Sequence, residues 1–183
     1  MSLSLASKEE TSLIIIDVQE KLFIQISENE KLVEKLIKLI RFAQILEIPI
    51  VLTEQYPKGL GQTIPAIKCL LPSLQPIEKM EFSCFGSSKF VDTLSKIKAR
   101  TLILTGIETH ICVMQTAIEG LKNNYKIYVV EDATSSRNLQ DKSIAIQRMI
   151  HNGATIVSTE MLIYELLRKA GTPQFKKSLE IVK

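Results

Sequence analysis

The chain has 183 residues, 45% hydrophobic, 23% charged and 5% aromatic, with a formal net charge of +3. That length supports one globular domain over residues 1–183 with a sizeable core, and the composition excludes disorder. Lys and Arg are dispersed and aromatics are sparse, so no nucleic-acid partner is indicated and a small-molecule partner fits better.

The start, Met1-Ser-Leu-Ser-Leu-Ala-Ser-Lys-Glu-Glu10, has neither a basic head nor a long apolar core. No apolar stretch reaches the roughly 18 residues that span a bilayer, so a cytoplasmic location without membrane contact is expected. The three cysteines, Cys69, Cys84 and Cys112, lack CxxC spacing and are expected as free thiols.

Ser12 to Asp17 reads as a buried strand. From Glu30 to Glu47 the apolar residues Leu32, Leu36, Leu39, Ile40, Ala43 and Leu46 recur at helical spacing, and Pro49 to Thr53 returns to strand, completing a βαβ unit. Residues 54–76 carry Pro57, Pro65, Pro72 and Pro76 with Gly59 and Gly61, which predicts loop broken by a helical turn. A short strand leads to Lys79, a helix covers Ser88 to Lys98, and Thr101 to Thr105 is another buried strand.

Thr109 to Asn123 then reads as helix, Lys126 to Val130 as strand and Asp141 to His151 as helix. Gly153 suits the left-handed position past that helix end. Strand Ala154 to Val157 and a final helix, Thr159 to Lys169, complete the pattern. Six strands alternating with helices predict an α/β, three-layer αβα fold with a six-stranded parallel sheet, because parallel strands need long crossovers. Ligands in such sheets bind beyond the strand carboxyl ends.

Three reactive side chains fall at such ends: Asp17, Lys79 in Pro76-Ile-Glu-Lys-Met80, and Cys112 past the Thr101–Thr105 strand. A thiol in the first turn of a helix meets unpaired backbone N–H groups and the positive end of the macrodipole, so its pKa is expected to fall. A carboxylate beside it takes its proton, and an ammonium orients that carboxylate. Each residue also has a plainer reading. An intracellular Cys is usually a small buried hydrophobe, a Lys beside a carboxylate is usually a surface ion pair, and an Asp after a strand often starts a turn.

The segments Asp17-Val-Gln19, Lys79 with Phe82-Ser83, Gly106-Ile-Glu-Thr-His-Ile-Cys-Val113 and Asp132-Ala-Thr-Ser-Ser-Arg137 together resemble the isochorismatase-like cysteine hydrolases over about residues 11–170. That superfamily includes nicotinamidases and N-carbamoylsarcosine amidohydrolase-type enzymes. The resemblance implies the isochorismatase-like hydrolase fold, a catalytic triad of Asp17, Lys79 and Cys112, and a cis peptide between Ile107 and Glu108. It also implies attack of the Cys112 thiolate on an amide or ureido carbonyl, with the oxyanion held by the backbone N–H groups of Glu108 and Cys112. A thioester intermediate is then hydrolysed.

Nicotinamidases carry an Asp/His metal cluster after the second strand, whereas Glu54-Gln-Tyr-Pro-Lys-Gly-Leu-Gly-Gln-Thr63 contains neither residue. The chain therefore resembles the metal-free, isochorismatase-domain-containing branch, with no metal and no cofactor expected. Vinyl-ether-cleaving isochorismatases need no Cys nucleophile, so Cys112 argues against isochorismate. His110, two positions from Cys112, points away from any shared site if both are helical. His151 reads as a helix-end cation or cap. A phosphoaspartyl hydrolase lacks its second Asp, since Gln19 stands there, and a Cys phosphatase lacks its Arg after Cys112.

Gln19, Leu22, Tyr56 and Phe82 are expected to wall the substrate pocket. Members of the superfamily commonly form dimers or larger assemblies, so a homo-oligomer is expected, and Tyr56 is an alternative contact for a neighbouring subunit. The competing reading is an interaction module that keeps the fold without catalysis.

Overall fold

The computed structural model describes residues 5–182; Met1 to Ser4 of the N-terminal stretch, and Lys183, lie outside them. The elements run β1 (Thr11–Ile16), α1 (Glu20–Phe23), α2 (Asn29–Leu46), β2 (Ile50–Gln55), α3 (Pro57–Leu60), α4 (Pro65–Lys68) and β3 (Ile77–Lys79). After a 3-10 turn at Cys84–Gly86 come α5 (Ser88–Lys96) and β4 (Thr101–Ile107). A π turn, Thr109–Val113, leads into α6 (Met114–Lys122), followed by β5 (Lys126–Ser135), α7 (Leu139–His151), β6 (Thr155–Val157), α8 (Thr159–Leu167) and α9 (Pro173–Val182).

The six strands form one sheet in the order β3-β2-β1-β4-β5-β6, with every pairing parallel. All six residues of β1 are buried, and its side chains alternate between the two faces. Leu13 and Ile15 join one apolar cluster, Ile14 and Ile16 the other. β4 and β5 alternate in the same way, with Ile103 and Tyr128 on the first face and Leu104 and Val129 on the second.

The first face is covered by α2 and α8, the second by α5, α6 and α7. Helix α2 docks through a stripe that includes Leu32, Leu36, Leu39, Ile40 and Ala43. Leu36 is wholly buried, so Leu36→Ala removes about 2–5 kcal/mol of stability. The helix stops where Glu47 turns left-handed and the Ile48 N–H caps the Ala43 carbonyl, just ahead of Pro49. Gly153, at φ 100°, ends α7 as its position suggested, with the Ala154 N–H closing on the Met149 carbonyl.

Three elements differ from expectation. The helix expected from Thr109 opens instead with the π turn. β5 runs on to Ser135 because its pairing with β4 is irregular: Leu104 faces Val129 but Gly106 faces Thr134, so extra β5 residues bulge out between them. The helix over 159–169 is not the last, since Pro173 starts α9, whose Ile181 and Val182 pack against the α2-side cluster.

Candidate active site

The strand order reverses direction between β1 and β4, and at such a point the loops leaving adjacent strands diverge and open a crevice. Asp17 is the first residue past β1, and Cys112 sits in the π turn that follows β4. Gly106 lets these strand ends approach: a Cβ there would lie 2.1 Å from the Ile16 carbonyl oxygen, and its φ of 107° is one that side chains resist. The peptide between Ile107 and Glu108 is cis.

Asp17 is fully buried, with both carboxylate oxygens engaged. Oδ1 accepts from Thr53 Oγ1 at 2.7 Å, and Oδ2 accepts from Lys79 Nζ at 2.6 Å. Neither side chain of the Asp17–Lys79 pair has any exposed surface. The Lys79 ammonium also donates to the Glu81 carbonyl at 3.0 Å and the Phe82 carbonyl at 3.2 Å. Its three donors are therefore all used within the protein.

Cys112 is buried, with its sulfur 3.8 Å from Gln55 Oε1. Its thiol pKa does not fall as its place near a helix start suggested. Burial pushes it up, and the Asp17 carboxylate pushes it further both by its charge and as a hydrogen-bond acceptor, while the Lys79 charge opposes them. A second thiol, Cys84, is wholly buried and stands 4.0 Å from Thr53 Oγ1. Burial and then the Asp17 charge push it up to about 12. Burial works against the Lys79 charge, but Asp17 and the two thiols outweigh it and raise that pKa.

The Glu108 carbonyl closes the π turn by accepting from the N–H groups of Ile111 and Val113. The Glu108 carboxylate accepts from the Arg137 backbone N–H at 3.0 Å and from its Nε at 3.1 Å, which ties the Asp132–Arg137 segment to the turn. His110 Nδ1 lies 2.9 Å from Ser136 Oγ, and His151 Nδ1–H donates to the Gln147 carbonyl one helical turn back.

The four residues expected to wall the pocket differ in their surroundings. Gln19 is completely buried, donating to the Gln55 and Gly61 carbonyls and accepting from the Gln55 N–H, so it ties loops together. Leu22 packs against the α2-side cluster. Tyr56 does line a cavity of about 510 Å³ beside Lys79, together with Pro57, Met80 and Glu81. The Phe82 side chain is half exposed, and its carbonyl anchors Lys79. Thr53, Gln55 and Cys84 belong to the site and were missed. Gln55 lies in a segment read only for metal ligands, and nothing local in the sequence marks Thr53 or Cys84.

The fold and this strand-edge site define an isochorismatase-like α/β protein. Residues 11–161 match the isochorismatase domain, and the chain belongs to that family. It is 36% identical over 176 residues to isochorismatase domain-containing protein 2A of Mus musculus, covering 96% of this chain and 84% of that one. Among solved structures it is similar to the MAR1 ribonuclease of Caenorhabditis elegans, with a TM-score of 0.91 and 36% identity over 98% of this chain and 92% of that one. It shares its fold with YcaC of Escherichia coli, described as an octameric hydrolase of unknown specificity, with a TM-score of 0.89 and 21% identity, covering 100% of this chain and 89% of that one.

Among the described residues, no group of three or more His, Cys, Asp or Glu is arranged to hold a metal ion, and no helix is long and apolar enough to cross a membrane. Glu54, in the segment where nicotinamidases carry their cluster, is buried and spends Oε1 on the N–H and hydroxyl of Thr63, each at 2.7 Å.

Proposed function

We propose that this protein is a cysteine hydrolase that cleaves the C–N bond of a small amide or ureido compound, with Cys112, Asp17 and Lys79 as its catalytic triad. The observation that carries the reading is a buried carboxylate, held by Lys79 at 2.6 Å and Thr53 at 2.7 Å, whose charge acts on the buried Cys112 thiol. A paired carboxylate of this kind serves no solvent-facing purpose, and of the two thiols that feel its charge Cys112 is the one in the turn that follows β4, where backbone N–H groups are available.

In the proposed sequence the thiol keeps its proton until substrate arrives. Asp17 takes that proton as sulfur attacks the carbonyl carbon, and the oxyanion forms against the backbone N–H groups of Glu108 and Cys112. Such a donor is worth on the order of 3 kcal/mol. Asp17 then returns the proton to the leaving nitrogen, the C–N bond breaks, and an acyl thioester remains on Cys112. Water then gives a proton to Asp17 and attacks the thioester carbon, the C–S bond breaks, and Asp17 returns the proton to sulfur, releasing a carboxylic acid from an amide or a carbamic acid from a ureido group. Lys79 keeps the carboxylate in place and balances its charge throughout.

The free thiols support a cytoplasmic setting. Ile24, three-quarters exposed on an apolar groove with Phe23, Val33, Ile64 and Pro65, supports self-association, as does the octamer reported for YcaC. The name of the C. elegans MAR1 ribonuclease raises a second reading. A phosphodiester, however, would meet the Asp17 charge, and Lys79 has no donor left for it.

The test is release of ammonia or amine from a panel of small amides and ureido compounds, and of alcohol from esters of the same shape, by wild type, Cys112→Ala and Asp17→Asn. Turnover by wild type alone supports the triad. A folded wild type inert to the whole panel favours the interaction-module reading.

A further inference from the structure

We infer that Gln55 is a specificity-determining residue, presenting a fixed carbonyl acceptor beside the Cys112 sulfur that selects substrates with an N–H next to the reacting carbon. This rests on Cys112 being the nucleophile.

Four contacts hold Gln55 in one pose. Its backbone N–H donates to Gln19 Oε1 at 2.8 Å, and its carbonyl accepts from Gln19 Nε2 at 2.9 Å. Its side-chain Nε2 donates to the Met80 carbonyl at 3.2 Å. A carbonyl accepts only from the nitrogen end of a carboxamide, so this contact settles which end faces the thiol. The fourth contact is then Oε1, 3.8 Å from Cys112 Sγ, within reach of a sulfur hydrogen bond. Asp17, Lys79 and Cys112 are buried, whereas Gln55, in contact with the thiol, is partly exposed.

Apart from the two backbone N–H groups proposed to hold the oxyanion, the side chains that a molecule meets at the sulfur offer acceptors. Gln55 offers Oε1, Asp17 is a carboxylate, and the Lys79 ammonium spends its donors on Asp17, Glu81 and Phe82. A primary amide or ureido group supplies the N–H that Oε1 needs. An ester of the same shape supplies none, and a carboxylate places charge against charge. A polar site rejects a ligand that lacks its partner because the ligand shuts water off from an acceptor and leaves it unpaired.

The probes are iodoacetamide, methyl iodoacetate and iodoacetate, with each thiol's alkylation rate mapped by mass spectrometry. In each case sulfur bonds to the methylene carbon, iodide leaves with its electron pair, and the thiol proton passes to Asp17 and then solvent. Exposed Cys69 in the same molecule corrects for intrinsic reagent reactivity. The expected amide-over-ester preference at Cys112, divided by that at Cys69, is on the order of tenfold, with iodoacetate slowest. In Gln55→Met, checked for an unchanged circular dichroism spectrum, the ratio falls to about one.

A ratio near one in wild type overturns the inference whatever the variant does, as does a high ratio that survives in Gln55→Met. Failure of all three reagents to reach Cys112 while Cys69 reacts also overturns it. Alkylation reads recognition without turnover. A protein that keeps the ratio but hydrolyses nothing loses the hydrolase reading alone, and one that hydrolyses amides with a ratio near one loses this inference alone.

Discussion

Two ion pairs in this molecule have the same length and opposite meaning. Lys79–Asp17, at the strand edge, and Lys31–Glu28, at the start of α2, are both 2.6 Å long. The first has no exposed side-chain surface, whereas the second leaves Lys31 73% and Glu28 48% exposed. The exposed pair shifts each partner's pKa through a hydrogen bond first and charge second, in solvent that screens both. The buried pair has lost its water, so neither member can be removed without stranding the other. Distance alone would rank the two equal; burial leaves one pair dry and the other a solvated contact.

The largest effect should follow from disabling the buried carboxylate. With a substrate from the amide panel, Asp17→Asn should cost on the order of 10²–10⁴ in kcat, because general base and acid vanish together. Retained activity within tenfold would show that Asp17 is only structural.

Stability should separate the two pairs next. Lys79→Met strands a buried charge and should cost about 3–5 kcal/mol in urea unfolding, much of it recovered in the Asp17→Asn, Lys79→Met double variant. Lys31→Met should leave the urea midpoint unchanged within error. Equal effects of the two single variants would erase the contrast drawn from burial.

A smaller signal lies in pH. Cys84 rises from 9.0 to about 12, and Cys112 is raised as well, so the folded chain holds these protons more tightly than the unfolded one. A raised pKa contributes stability that is complete below the unfolded value and lost as pH climbs toward the folded one. The urea midpoint should therefore hold up to about pH 9 and fall between about 9 and 12, with a shallower fall in Cys84→Ala. A midpoint flat over that range would contradict the burial of both thiols. Exhaustive chelation should change nothing: activity lost with chelator and regained with zinc or manganese would show that the Glu54–Thr63 segment does not exclude a metal.

Period and punctuation made much of the fold legible. β1 and β4 are continuous apolar runs because both of their faces are buried, and the α2 stripe has helical spacing. What stayed hidden depended on partners distant in the chain. The extension of β5 to Ser135 depends on a bulge opposite Gly106, and the π turn is closed by the Glu108 carbonyl. Asp17, Lys79 and Cys112 stand out in the sequence because each falls at or just past the carboxyl end of a strand. Thr53 and Gln55 share a strand end with many inert residues, and only the register of β2 against β1 and β3 brings them to the carboxylate and the thiol. The raised Cys112 pKa was missed for the same reason: a helix start is visible locally, whereas burial beside a carboxylate is not.

The central claim, that Cys112 carries the acyl group under the control of Asp17, is tested most directly by acid-quenching the protein during turnover of a small primary amide. Ammonia release and the mass of the Cys112 peptide are then read together. The account predicts ammonia release accompanied by an acyl mass on Cys112, with both lost in Cys112→Ala. Ammonia release that persists in Cys112→Ala, or an acyl group found on Cys69 or Cys84 instead, would contradict it.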